Sequence, residues 1–130
     1  MESKILFLRV SFWAGAILDV VAFLIMWFPS LFALNNGLTN FNPGIEYRYA
    51  MGMGAPLMLG WTILLLWADR KPIERKSILL ITLLVVLGEV VTEIFGVVTS
   101  FITVPAMLLT WMIQLIVSVL FVFSYWNASK

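Results

Sequence analysis

Glu89 and Glu93 stand one helical turn apart in Ser77–Ser100, a run made mostly of Leu, Ile, Val, Phe and Gly. At a spacing of four residues, both carboxylates leave the same face of a helix. Ionisable side chains are costly inside a bilayer, and where they occur they mark proton, ion or ligand pathways. A carboxylate pair there can take up a proton, hold a hard cation through its oxygens, or pair with an organic ammonium group. Asp19 is a third acid within an apolar stretch. Gln114 and Thr110 are polar groups, likewise in apolar surroundings, that could orient a carboxyl. Trp13, Trp61 and Trp111 also fall inside or beside the apolar runs, and indole faces next to carboxylates are what ammonium recognition uses. Each of these Trp residues has packing as its plainer explanation.

What the chain lacks narrows the chemistry. It has no His and no Cys. Thiolate catalysis and Cys-based metal sites are therefore excluded, and the commonest metal ligand and neutral-pH base is missing. A metal site built from Glu-x-x-x-Glu and one Asp is a weak expectation, and no metal or cofactor is assigned. The net charge is +1, which gives no electrostatic footprint for nucleic acid. No reaction is legible, and a binding or transport role fits these residues better than an enzyme.

The elements that must carry these residues are membrane spans. Of the 130 residues, 62% are hydrophobic and 12% charged, with a mean hydropathy of +1.04. Soluble domains are about half apolar and a quarter charged. Four apolar runs predict four helices in a single domain, an all-α up-down-up-down transmembrane bundle. The first covers about residues 5–34, its excess length absorbed by tilt or by a final turn after Pro29. The second covers about 49–68, the third 77–100 and the fourth 106–126. Asn35-Asn36-Gly37 and Asn42-Pro43-Gly44 are stop and turn signals between the first two. Trp27, Trp67 and Trp126 mark interfaces. Lys4, Arg9, Arg70, Lys71, Arg75, Lys76 and Lys130 fall on one side and only Arg48 on the other. By the positive-inside rule, both termini and the 69–76 loop face the cytoplasm of a cell whose inner membrane holds the protein.

Counting along each helix at about 1.5 Å per residue puts Asp19, Pro56, Glu89, Glu93, Gln114 and Thr110 near one depth. Faces follow from spacing. Ser11, Gly15 and Asp19 form one stripe, as do Gly52, Pro56 and Gly60, and Thr110, Gln114 and Ser118. On the third helix the stripe is Thr82, Glu89, Glu93, Gly96 and Ser100. These stripes predict an interior that is polar at and beyond mid-membrane and apolar below. Without a buried Lys or Arg, three carboxylates cannot all remain ionised there, so at least one is expected to carry a proton. One interpretation is a site for an organic or lipophilic cation, or for protons, in a protein that would translocate as a homo-oligomer. A second is an accessory subunit whose protonated acids bond Gln114, Thr110 and the Gly52 carbonyl. A third is a lipid-binding or lipid-modifying protein, which needs a pocket open sideways between helices.

The run Arg48-Tyr-Ala-Met-Gly-Met-Gly-Ala-Pro-Leu-Met-Leu-Gly-Trp61, with Trp67-Ala-Asp-Arg-Lys-Pro-Ile-Glu-Arg-Lys76, resembles a group of small, uncharacterised four-helix prokaryotic membrane proteins. The resemblance implies the fold and membrane location and brings no ligand or activity. Size and an intramembrane acid are also similar to the small multidrug exporters, which use one Glu in their first helix. Here that helix carries Asp19, and the paired acids sit in the third, so the pattern departs from theirs.

Overall fold

The computed structural model describes residues 1–130 and contains five helices and no strand. These are α1 (Glu2–Trp27), α2 (Pro29–Asn35), α3 (Ile45–Asp69), α4 (Ser77–Val98) and α5 (Val104–Asn127). All except the short α2 are long and apolar enough to cross a membrane. The chain is an all-α, multi-pass membrane protein. Both termini and the turn at 70–76 lie at one end, the basal end below. The 36–44 loop and the 99–103 turn lie at the distal end.

Local chemistry sets the helix ends, and it moves several expected boundaries. The run from Ile5 to Leu34 is not one span, because it breaks at Phe28, which is extended at φ −107°, ψ 107°. Phe28 precedes Pro29, and the proline ring disfavours helical backbone in the residue before it. Pro29 then opens α2, in a position where its missing N–H costs nothing. The second span starts at Ile45 rather than Tyr49, with Glu46 in the first turn where the helix dipole favours an acid. The third ends at Val98 rather than Ser100, and the fourth opens at Val104, with Pro105 in its first turn.

Ser100 closes α4 in the left-handed region, at φ 59°. The N–H groups of Phe101 and Ile102 donate back to the Gly96 carbonyl, at 2.9 and 3.1 Å. Ile102 folds over Gly96, where an added Cβ would lie 3.1 Å from its Cδ1. Left-handed backbone costs an L-residue about 1–2 kcal/mol, and glycine's extra unfolded-state entropy returns about 0.5–1 of that. Ser100→Gly is therefore expected to raise stability by up to ~1 kcal/mol, and Ser100→Val to lower it. Thermal unfolding in detergent reads both.

Packing concentrates in the basal half. Leu8, Phe12 and Ala16 of α1 meet Leu65 and Ala68 of α3, Leu79 of α4, and Val117 and Phe121 of α5. Gly15 permits this approach, since a Cβ there would sit 2.9 Å from Leu65 and 3.1 Å from Phe121. The buried Ser11 hydroxyl donates to Ser124 Oγ at 2.8 Å, and Ser124 donates to the Phe7 carbonyl at 3.2 Å, tying α1 to α5. At the basal surface Arg9 donates to Asp69 at 3.1 and 3.3 Å. Lys76 reaches across to the Ala128 carbonyl and Ser129 Oγ at 3.1 and 2.9 Å.

The helices form an incomplete ring. α1 packs most extensively on α3 and also on α5, while α4 pairs with α5. α3 and α4 do not pack along their lengths. The Trp61 indole donates to Thr82 Oγ1 at 3.0 Å across this α3–α4 seam. Nearer the basal end, Arg75 donates to the Trp67 carbonyl and covers its ring, with Cζ 3.3 Å from the centroid. The seam is fastened at its base.

A candidate carboxylate site between α1, α4 and α5

The site lies where the tight basal packing ends. Glu89 is directly above Thr82 on α4, since seven residues nearly complete two turns, about 10 Å of rise. Glu93 follows one turn later on the same face. α5 runs antiparallel to α4 and turns Trp111 and Gln114 towards that face. The Trp111 indole donates to one Glu93 oxygen and the Gln114 amide to the other, both at 2.9 Å. Glu93 thus accepts one N–H at each oxygen, which fixes the position of its carboxyl group.

Glu89 lies within interaction range of Asp19 on α1, Glu93 on its own helix, and Gln114 on α5. Glu89 thus stands between Asp19 of α1 and the Glu93 group held by α5. Donors are short in it. Asp19 Oδ2 and Gln114 Oε1 are buried atoms with no hydrogen-bond partner. Both are acceptors, and no Lys or Arg forms an ion pair with any of the three acids. A buried acceptor without a donor forfeits about 1–3 kcal/mol. The group this arrangement lacks is one that brings protons or positive charge.

The other residues expected at the site lie elsewhere or stay unbonded. Thr110 is half-buried and makes no hydrogen bond to the acids. Trp13 is exposed, and its indole donates to Asp69 at 3.2 Å, at the basal surface beside Arg9. Trp61 is committed to Thr82, below the acids. Trp111 reaches the site through its N–H edge as a donor to Glu93. The Gly52, Pro56, Gly60 stripe is exposed, and an added Cβ at either glycine would meet nothing. It faces away from α1, whose contact is made by Ala55, Thr62 and Leu65, so the Gly52 carbonyl does not serve the acids. Gly54 instead is the α3 glycine turned inward, with the Met26 methyl filling the space its Cβ would need.

Sequence spacing left two structural partners unseen. Thr82 is on the Glu89 stripe, but nothing in the sequence pairs it with Trp61. The Arg9–Trp13 spacing of four residues is a signal for a shared partner, and that partner is Asp69.

Gln114→Leu is expected to strip the donor from one Glu93 oxygen and cost about 1–3 kcal/mol in thermal stability. Gln114→Glu, similar in shape but lacking the amide donor, should not restore it.

Comparison with protein-family models, with curated proteins and with solved structures returned no match. The helices and their composition define the class as a polytopic α-helical membrane protein.

Proposed function

We propose that this protein binds an organic or lipophilic cation, in exchange with protons, at Asp19, Glu89 and Glu93. The single observation that carries the proposal is the shortage of donors, with Asp19 Oδ2 and Gln114 Oε1 buried and unpartnered. Glu93, held at both oxygens, is the fixed member of the cluster. Glu89 and Asp19, with no bonded donor, are the acids free to exchange a proton for a cation. Gln114 orients the pair, giving its N–H to Glu93 and presenting its carbonyl to a proton on Glu89 or to an N–H of the ligand. No His or Cys is available to make this a transition-metal site.

The orientation that goes with this function places both termini and the 70–76 turn in the cytoplasm, since every Lys and Arg except Arg48 lies at the basal end. The membrane is then a prokaryotic inner membrane, as the resemblance in residues 48–76 implies. Translocation by four spans would call for more than one copy.

The test is thermal stability of detergent-purified protein with tetraphenylphosphonium, hydrophobic amines and divalent ions, for wild type and Glu89→Gln/Glu93→Gln. Stabilisation of wild type by an organic cation, lost in the variant, supports the site. No shift in either protein, with a variant at least as stable as wild type, would make the acids protonated links between helices.

A further inference from the structure

The ring of helices is open on one side, and the acids stand beside the opening. α1 with α3, α1 with α5 and α4 with α5 are packed pairs and α1 also touches α4, whereas α3 and α4 are not packed on one another. The Trp61–Thr82 bond closes the seam below the acids. Moving from that bond towards the distal end, α3 presents Leu57 at the spacing of the next turn, while α4 presents Val86 and then Glu89. Leu57 is 71% exposed, as it must be if no helix lies against it. Gly54 is turned to α1, where the Met26 methyl fills the space its missing Cβ would need. Asp19, Glu89 and Glu93 are each only partly buried, although they sit mid-way along membrane-length helices. Partial exposure at that depth means they border a gap in the protein wall. From the distal end, Met26 stands on the same α1 face as Asp19, two turns further out, packed against Gly54.

We infer that the α3–α4 seam distal to the Trp61–Thr82 bond is a lateral portal, through which a membrane-dissolved organic cation reaches the acids from the lipid phase. This rests on the cation site proposed above and specifies its ligand class: amphiphilic or delocalised cations that partition into the bilayer, rather than small hydrated ones. The charge matches the three acids, and the apolar part of the ligand would lie along Leu57 and Val86. A lipid-facing mouth also explains why the gap is lined by apolar side chains up to the level of Glu89.

The experiment follows radiolabelled tetraphenylphosphonium binding to the full-length protein in proteoliposomes. Leu57→Trp/Val86→Trp fills the seam while leaving all three acids in place. Leu115→Trp/Val119→Trp adds the same bulk to exposed positions of α5, 66% and 61% exposed, as the control. Filling the seam is expected to slow association at least tenfold, with the control unchanged. In wild type, tetramethylammonium at equal aqueous concentration should bind at least tenfold more slowly than tetraphenylphosphonium. Equal association rates in the filled and control variants, or equal rates for the two cations, would overturn the portal. No binding of either cation to wild type would instead remove the cation site itself. Should the filled variant not fold, the comparison of the two cations in wild type still decides.

Discussion

Tetraphenylphosphonium is expected to stabilise the wild-type protein, and Glu89→Gln/Glu93→Gln to abolish that stabilisation. A ligand that binds only the folded state stabilises it by about 2.7 kcal/mol at a hundredfold excess over Kd. Glutamine keeps the shape and the hydrogen-bonding reach of glutamate but removes the charge, so the loss reports electrostatics rather than packing. Cation and proton compete for the same oxygens, while tetraphenylphosphonium itself does not titrate. The stabilisation should therefore grow as pH is raised from about 5 to about 9 in wild type, and stay flat in the variant. The single variants separate the roles. Glu93→Gln exchanges an acceptor oxygen facing an N–H for an amide, and should cost stability without ligand as well. Glu89 has no such donor bond, so Glu89→Gln should leave the unliganded protein nearly as stable while weakening the response to the cation. A pH-independent ligand effect, or one that survives the double substitution, would place the cation elsewhere.

Phe121→Ala is expected to destabilise the protein by about 2–3 kcal/mol, the largest effect of any single truncation on α5. Phe121 is fully buried among Leu8, Phe12, Leu65 and Leu79, and its ring lies over Gly15. In water-soluble cores such a truncation costs about 3–5 kcal/mol, of which part is transfer from water. In a membrane the competing environment is lipid, as apolar as the core, so the transfer part shrinks and the lost close packing remains. Leu115→Ala, on the exposed face of the same helix, supplies the contrast and should lie within about 0.5 kcal/mol of wild type. Chemical or thermal unfolding in detergent measures both. Equal losses for the two would mean that the basal cluster does not hold the bundle together.

The sequence by itself determined the class, the number of spans and the helix faces. Apolar runs of more than about 20 residues admit little besides transmembrane helices, because an unpaired backbone cannot be left in lipid. The spacing of Glu89 and Glu93 put them on one face for the same geometric reason. One boundary differs because a proline acts on its neighbour. Pro29 ends α1 at Trp27 by way of Phe28, although hydropathy runs on unbroken through both residues.

Only the tertiary structure decided which faces meet. Hydropathy is silent on this point, because lipid and the protein interior accept the same side chains. Gly52, Pro56 and Gly60 form as regular a stripe as Ser11, Gly15 and Asp19, yet the first is exposed, whereas Ser11 and Gly15 are buried. Trp13 and Trp111 are equally plausible neighbours for an acid in the sequence. One is bonded to Asp69 at the basal surface and the other to Glu93 in the site, because α1 and α5 present them at different heights. The open α3–α4 seam is a property of no single helix. It arises because small residues draw α1 and α3 together over Gly15, Ala16 and Ala55, while nothing comparable draws α3 to α4 above Trp61.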